Sequence, residues 1–211
     1  MRRTVAVDRP VPIMADGSIP DVRAGVTRSD FAQHLDERTL RGARNGDRSA
    51  FAAIYDRFGP ACYNLALRIL GEPAAAQDIV HEVFVRLLTG LRGFRGDAPF
   101  GAWLKRMVTN ATIDTLRSRQ RLVDTGDELL ERVGEAAEMA QQRADVWALL
   151  MKLPPRVRAI VVLHEVEGYT HRELAELFGQ SESYSKSILS RALSVLQKGL
   201  HEEAGDSDAG A

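Results

Sequence analysis

Residues 169–196 read YTHRELAELFGQSESYSKSILSRALSVL and carry the signals of two short helices joined by a tight turn. Thr170 can cap the first helix, and Glu173, three residues later, can complete a capping box. Gly179 stands where a tight turn favours a left-handed backbone, and Ser181 can cap the second helix. Together these signals predict a helix-turn-helix.

The second helix of this motif has one face suited to burial and one polar face. The residues predicted to be buried recur at spacings of 4, 3 and 4: Ser185, Leu189, Ala192 and Leu196. The outward residues could meet phosphates and base edges in a major groove. They are Ser183, Lys186, Ser187, Ser190 and Arg191. The pattern leaves open an ordinary helical hairpin with a polar exterior.

Helical signals also dominate upstream, and the alternation typical of strands is absent. Asp47 can cap a helix, Gly71 can end it, and Pro73 can open the next one. The apolar positions of these two helices predict their inward faces. Those positions are Phe51, Ile54, Tyr55 and Phe58 in the first helix, and Ile79, Val83, Phe84, Leu87 and Leu88 in the second.

These patterns predict an all-α protein with two small helical domains joined by a flexible linker. We expect a mobile leader without periodicity at the start and a disordered tail at the end. The predicted segments are the leader at 1–33, the first domain at 34–121, an acidic linker at 122–143, the helix-turn-helix domain at 144–203 and the tail at 204–211.

Charge is distributed unevenly along a chain whose net charge is only −1. Residues 91–121 hold seven basic and two acidic residues, a net of +5, whereas 122–145 hold two basic and seven acidic, a net of −5. Arginines with aromatic rings suit a single nucleic-acid strand, because arginines can follow phosphates while rings receive unstacked bases. The alternatives are that both segments are solvated helix faces and that the aromatic residues lie in the core or anchor a loop.

Four blocks of sequence together resemble the extracytoplasmic-function (ECF) sigma factors of the sigma-70 family, over about residues 36–200. The first domain contributes FAAIYDRFGPACYNLALRILGEPAAAQDIVHEVFVRLL (51–88) and FRGDAPFGAWLKRMVTNATIDTLRSRQR (94–121). The second contributes LPPRVRAIVVLHEVEGYTHRELAELFG (153–179) and KSILSRAL (186–193). The resemblance implies a subunit that binds core RNA polymerase, recognises −35 and −10 promoter elements and helps to melt DNA.

The resemblance also assigns roles to residues. Asp78, His81 and Glu82 match the face that docks on the β′ clamp helices of polymerase, and the helix after Pro155 matches the part near the β flap. The loop 94–100 matches the one that captures a flipped base of the −10 element. The residues expected at the −10 strand are Phe94, Arg95, Phe100, Trp103, Lys105, Arg106, Asn110, Arg117, Arg119 and Arg121. Those expected at the −35 duplex are Thr170, His171, Arg172, Ser183, Tyr184, Lys186, Ser187, Ile188, Ser190 and Arg191.

The recognition helix departs from the family pattern. Ile188, Ser190 and Leu193 stand where relatives often carry polar or basic residues, so only Lys186 and Arg191 remain as positive charges. Each lost phosphate contact weakens the salt-dependent part of DNA affinity. Ile188 either packs on a thymine methyl or marks weak −35 binding. We expect an unusual −35 sequence rather than loss of DNA binding.

Motifs for catalysis are incomplete or missing. HEVEG at 164–168 and HEVFV at 81–85 lack the second histidine of a zinc protease, and neither a GxxxxGK loop nor a GxSxG turn occurs. Cys62, the single cysteine, is expected to be a core residue. We therefore expect no enzyme activity, no cofactor and no metal, because catalysis would reside in polymerase.

No apolar run is long enough to cross a bilayer, and MRRTVAVDRPVPIM is a poor signal peptide, so we expect a cytoplasmic protein without membrane insertion. The family resemblance also implies an anti-sigma partner. Two other functions stay open: a helix-turn-helix regulator that acts on duplex DNA without polymerase, and an interaction module that has lost DNA binding. Run-off transcription with core polymerase separates the three.

Overall fold

A computed structural model describes residues 30–120 and 146–206, with only the backbone described at 120, 146 and 198–206. Within these ranges every regular element is helical, as the sequence predicts. The first unit, residues 30–120, contains α1 (Glu37–Arg44), α2 (Arg48–Leu70), α3 (Pro73–Gly90), a 3₁₀ turn (Leu91–Gly93) and α4 (Phe100–Gln120). The second unit, residues 146–206, contains α5 (Val146–Lys152), α6 (Pro155–Val161), a π-helical turn (Val162–Val166), α7 (His171–Phe178) and α8 (Glu182–Asp206).

The predicted ends of α2 are confirmed. Asp47 accepts hydrogen bonds from the amides of Ser49 and Ala50, and the helix ends at Gly71, whose φ is 77°. Pro60 lies inside this helix and does not break it. Pro73 opens α3 because a first-turn residue needs no amide hydrogen for the helix.

The core of the first unit forms where α2 packs against α1, α3 and α4. Ile54, Phe58, Val83 and Leu87 are fully buried there. The inward prediction is wrong for Tyr55 and Leu88, which are 48% and 62% exposed. The ring of Tyr55 still contacts Phe84 of α3, with 4.8 Å between ring centroids, so it is half exposed at the edge of the core.

The predicted segment boundaries shift at both ends. Phe31, which was assigned to the leader, is 6% exposed and belongs to the core. The carbonyl oxygen of Phe31 would lie 1.8 Å from a Cβ at position 101. Only glycine at this position of α4 therefore lets the chain at Phe31 pass so close to the helix. Helix α8 extends to Asp206, which makes 204–206 helical. The linker at 122–143, most of the leader and residues 207–211 lie outside the described residues.

The second unit is built around α8, which contacts α5, α6 and α7. The two units also contact each other, because α6 lies against α2 and α4, and α7 lies against α4. Val157, Ile160 and Val161 of α6 are fully buried. Helix α6 of the second unit therefore packs against α2 of the first. This contact was not predicted from the sequence.

Candidate nucleic-acid interface

The exposed polar face of α4 carries three of the ten residues predicted to bind a single strand. Arg106 and Asn110 are exposed one turn apart, and Arg117 follows two turns later on the same face. Arg117 pairs with Asp114 at 3.1 Å and donates to the carbonyl oxygen of Leu177 in the second unit. These residues form one surface that an anionic strand could follow.

Arg119, in the last turn of α4, is exposed but engaged in an ion pair. The Nη1 atom of Arg119 donates to both carboxylate oxygens of Glu72, at 3.0 Å each. That ion pair ties the end of α4 to the start of α3 and neutralises part of the charge that was assigned to DNA. Arg121 lies outside the described residues.

The rings of Phe94 and Phe100 lie in the core, which corrects the prediction that they receive bases. They are 7% and 6% exposed, and their ring centroids are 5.5 Å apart in a T-shaped contact. Phe58 packs on Phe100 from α2, and the half-buried Trp103 packs on both rings. Buried rings offer no face for stacking, so these aromatics anchor the loop.

The loop between the two phenylalanines is exposed from Arg95 to Pro99. Gly96 has a φ of 87°, a left-handed conformation that favours glycine. Arg44 of α1 lies 5.7 Å from the centroid of Phe94 and donates to the carbonyl oxygen of that residue. The anchors hold the two ends of the loop, and its backbone and Arg95 face outward.

The start of α7 has the predicted cap. The backbone amide of Glu173 donates to Thr170 Oγ1 at 3.2 Å, and the Glu173 carboxylate accepts from the Thr170 amide at 2.8 Å. Hydrogen bonds from the Thr170 amide and from the Thr170 hydroxyl to this carboxylate lower the pKa of Glu173. Gly179 ends α7 with a φ of 63°, as predicted. Thr170 and Arg172 are exposed and mark the end of α7 that could meet DNA.

His171, which was also assigned to DNA, stacks on His164 with 4.5 Å between ring centroids. Its Nδ1 atom lies 3.0 Å from Ser185 Oγ on α8. Burial, with smaller contributions from His164 and Lys186, lowers the pKa of His171. The ring therefore links the two helices of the motif and is only partly available to a ligand.

Helix α8 presents the outward residues that its periodicity predicts. The exposed residues of its first half include Ser183, Lys186, Ser187, Ser190 and Arg191. Ser181 accepts a hydrogen bond from the amide of Tyr184 at 3.1 Å, which confirms the cap. This exposed face is the candidate duplex-reading surface.

The prediction that Ile188 contacts DNA is wrong, because its side chain is fully buried. It lies three residues after Ser185 and one before Leu189, within the same inward stripe. Tyr184 is half-buried beside Arg156 of α6, whose Cζ is 5.5 Å from the ring centroid. Arg156 also lies 5.6 Å from the centroid of Phe178. The two rings and the guanidinium fix the turn between α7 and α8.

The outward face of α3 carries the three residues predicted to meet polymerase. Asp78 and His81 are exposed, and Glu82 is half-exposed and forms an ion pair with Arg86. The sequence analysis missed that Val85, 48% exposed, and Leu88 continue this face at helical spacing. Val85, a large apolar residue three positions after Glu82, is the signal that could have identified this patch, whereas Leu88 was predicted to face inward.

A cleft of about 750 Å³ lies between the polar face of α4 and the segment of the second unit that leads into α7. Lys105, Arg106, Asn110 and Arg117 lie on its α4 side. On the opposite side lie Glu167, Tyr169, Arg172, Glu173, Glu176 and Leu177. Lys105 Nζ lies 2.7 Å from Glu167 Oε2, and Tyr169 donates to Thr109 Oγ1 at 3.0 Å. Neither Glu167 nor Tyr169 was predicted from the sequence to join the units.

Residues 30–120 and 146–206 contain no cluster of three histidine, cysteine or acidic side chains that could hold a metal ion. Cys62 is buried, and burial raises the pKa of its thiol to about 12. None of the helices in residues 30–120 and 146–206 is long and apolar enough to cross a membrane.

Comparisons with known proteins match both units. Residues 54–122 match sigma-70 region 2, and residues 143–196 match sigma-70 region 4. The ECF RNA polymerase sigma factor SigW of Bacillus subtilis is 25% identical over 181 residues, covering 79% of this chain and 97% of that protein. SigE of Mycolicibacterium smegmatis, another ECF sigma factor, is 28% identical over 193 residues, covering 85% and 75%. A solved structure of CnrH with the cytosolic domain of CnrY has 26% identity and a TM-score of 0.46, covering 82% of this chain and 99% of that one.

Proposed function

The chain belongs to the ECF group of the sigma-70 family and is an RNA polymerase sigma factor, and we propose how its surfaces divide that work. The observation that carries the proposal is that three separate exposed faces lie on three different helices. These are the outward face of α3, the polar face of α4 and the polar face of α8. Each face has the chemistry of a different partner.

The outward face of α3 is the proposed docking site for the β′ clamp helices. Asp78, His81 and Glu82 supply hydrogen-bonding and charged groups, while Val85 and Leu88 supply exposed apolar area. An apolar centre with polar neighbours is typical of a protein–protein interface. The helix after Pro155 is the proposed partner of the β flap.

The polar face of α4 is the proposed binding site for the melted −10 strand. Arg106 is exposed and forms no hydrogen bond or ion pair with other residues of 30–120 and 146–206. Its guanidinium is therefore available to a phosphate. Asn110 can donate to and accept from a base edge. The exposed loop from Arg95 to Pro99 is the proposed site of the flipped base, with Phe94 and Phe100 holding its ends.

The exposed face of α8, with Thr170 and Arg172 at the start of α7, is the proposed reader of the −35 duplex. Lys186 and Arg191 are the positive charges on α8, Arg172 adds one from α7, and Lys186 lies 3.8 Å from Glu182. Because the other outward residues are serines, affinity at this site rests on few phosphate contacts. Recognition therefore depends on hydroxyl contacts to base edges and on assistance from polymerase.

Two further parts of the proposal rest on the family alone. An anti-sigma factor holds the chain inactive until a signal releases it, and the chain works in the cytoplasm, where core polymerase acts. Both can be examined in the producing bacterium by affinity purification and by fractionation. A stable stoichiometric partner that suppresses transcription supports the first, and recovery of the chain with polymerase supports the second.

Run-off transcription with purified core polymerase tests the proposed function. We expect transcripts from specific start sites only when the chain is added. The variant Val85→Asp/Leu88→Asp should lose polymerase binding, whereas Arg106→Gln should keep polymerase binding and form fewer open complexes. A chain that binds duplex DNA but yields no transcripts with polymerase would contradict the proposal.

A further inference from the structure

The loop proposed to receive the flipped base is held at its ends and not along its length. Residues 95–99 are exposed, and residues 95–98 form no backbone hydrogen bond with another residue of 30–120 and 146–206. Phe94 and Phe100, at the two ends, are buried. A loop that is ordered before it meets its ligand loses less conformational entropy on binding. The contacts that fix these two ends therefore contribute to binding by the loop.

One segment near the start of the first unit reaches both ends of the loop. Residues 31–44, which we call the strap, comprise an irregular stretch at 31–36 and helix α1 (Glu37–Arg44). The strap precedes residues 54–122, which match sigma-70 region 2. Its relation to the loop therefore has to be read from its own contacts.

The end of the strap holds the start of the loop. Arg44 donates through Nη2 to the carbonyl oxygen of Phe94, and its Cζ atom lies 5.7 Å from the centre of the Phe94 ring. Helix α1 also contacts the 3₁₀ turn Leu91–Gly93, which leads into the loop. These contacts fix the backbone at the point where the loop leaves the core.

The start of the strap holds the end of the loop. Phe31 is buried, and its carbonyl oxygen lies over Gly101, the second residue of α4. A Cβ at position 101 would lie 1.8 Å from that oxygen and 3.1 Å from Phe58 Cε1. The backbone of the strap therefore touches the turn of α4 that begins at Phe100.

The middle of the strap is fixed to the rest of the first unit. Arg57 of α2 donates to the carbonyl oxygen of His34. Asp36 caps α1 by accepting from the Thr39 amide at 2.8 Å, and the half-buried Leu40 packs against the core. The strap is thus attached between its two ends as well, so it can transmit the position of the core to the loop.

We propose that the strap is a positioning device for the base-receiving loop, with Arg44 and Phe31 holding the two ends in the geometry that accepts a flipped base. The inference rests on the proposed function, which supplies the base as the ligand of the loop. Arg44 and Phe31 are positioning residues that do not touch DNA. They act through the backbone at Phe94 and at Gly101.

Binding of single-stranded oligonucleotides to the complex of the chain with core polymerase tests the proposal. The first probe is the non-template −10 strand of a promoter identified by run-off transcription, with 2-aminopurine at each position in turn. The position whose fluorescence rises most on binding marks the unstacked base. The second probe has an abasic site at that position and keeps every phosphate.

Arg44→Ala should weaken binding of the intact strand on the order of tenfold, because the start of the loop loses a charge-assisted hydrogen bond. Binding of the abasic strand should not change, since the phosphate contacts of α4 remain. Arg44→Lys should restore most of the affinity, because an ammonium can also donate to the Phe94 oxygen and lie against the ring. Arg38→Ala, the matched control, removes the same charge from an exposed position of the same helix and should change neither affinity.

Gly101→Ala tests the other end of the loop. Its Cβ would displace the carbonyl group of Phe31, so it should weaken binding of the intact strand and spare the abasic strand. Gly90→Ala is the matched control at the end of α3, where a new Cβ meets no atom within 4 Å. It should bind both strands as the unaltered chain does.

Fluorescence of Trp103 gives a readout that does not involve DNA. Its ring centroid lies 5.2 Å from that of Phe94 and 5.8 Å from that of Phe100. The chain has two tryptophans, so Trp147→Phe leaves Trp103 as the only one. In that background, acrylamide should quench Trp103 more strongly in Arg44→Ala and equally well in Arg38→Ala and its parent.

Equal weakening of both strands by Arg44→Ala would overturn the proposal, because the strap would then support the fold alone. Unchanged binding of both strands would overturn it as well. If Gly101→Ala does not fold, the Arg44 variants still decide the question. Absence of promoter-specific transcripts would instead reject the proposed function, and quenching of Trp103 would still decide whether the strap holds the loop.

Discussion

The guanidinium of Arg156 lies between two aromatic rings, with its Cζ 5.5 Å from the centroid of Tyr184 and 5.6 Å from that of Phe178. Phe178 ends α7, and Tyr184 belongs to the first turn of α8. Arg156 also donates to the oxygen of Phe178 at 3.4 Å. A residue of α6 thereby sets the angle at which the duplex-reading helix leaves the turn.

Tyr184→Ala should lower the free energy of unfolding by about 2 kcal/mol, because it removes half-buried ring area and one cation–π contact. Tyr184→Phe is the matched control. The Tyr184 hydroxyl is buried and has no hydrogen-bond partner among the described residues, so its removal should cost nothing. Urea unfolding measures both. A phenylalanine variant as unstable as the alanine variant would show that the hydroxyl, not the ring, supports the turn.

Gly71→Ala should destabilise the protein more than Gly46→Ala. Both glycines have a positive φ, of 77° and 84°, which costs about 1–2 kcal/mol for alanine. Only at position 71 would the new Cβ meet other atoms, at 2.9 Å from Arg158 Nη2 and 3.1 Å from Met151 Sδ. Thermal unfolding compares the two variants. Equal losses would mean that the units do not pack closely at the end of α2.

Thr170→Ala should destabilise α7 by about 1 kcal/mol, because it removes the oxygen that accepts from the Glu173 amide. Thr170→Ser keeps a hydroxyl in the same place and should retain most of the stability. Each variant is also tested for binding to −35 duplex DNA. If the serine variant keeps stability and loses affinity, the threonine methyl contacts DNA as well as supporting the cap.

Arg106→Gln should weaken binding of the polymerase complex to a single-stranded −10 oligonucleotide. The loss of one phosphate contact should also reduce the slope of log affinity against log salt by about 0.7. Arg41→Gln on α1 is the control, since Arg41 is 71% exposed and pairs only with its helix neighbour Glu37 among the described side chains. Filter binding at several salt concentrations gives the slopes. Unchanged slopes for both variants would remove Arg106 from the proposed site.

Acidification should destabilise the second unit through His171. Its pKa is lowered in the folded chain from the ordinary value of 6.5, so the unfolded chain binds the proton first as pH falls. Stability is therefore full above about pH 6.5 and declines as pH falls toward the lowered pKa. His171→Gln should flatten this decline between pH 7 and about pH 5 in urea unfolding. A decline that persists in the variant would assign the effect to other groups.

Helix caps and turns were predicted well, because residues within a few positions of one another determine them. Asp47, Gly71, Thr170 and Gly179 all take the predicted conformations. Ile188 was misplaced because a helix face is about three residues in seven wide, and the predicted stripe was drawn too narrow. The family resemblance to ECF sigma factors was also correct.

Contacts between the units could not be predicted, because they join residues far apart in the sequence. Arg158 meets Leu70 across 88 positions, and Lys105 meets the backbone of Glu167 across 62. Neither the hydrophobic periodicity nor the spacing of motifs in the sequence indicates that such residues are in contact. The burial of Phe100 likewise depends on Phe58, which packs on it from α2.

Lys105 pairs with Glu167 and is also a predicted contact of DNA phosphates. These two interactions differ in how strongly they depend on ionic strength. Counterions screen charges that face solvent, and they compete directly with protein for DNA phosphates. They barely reach a carboxylate that is 1% exposed. Raised ionic strength should therefore weaken any contact of this lysine with nucleic acid more than it weakens the internal pair.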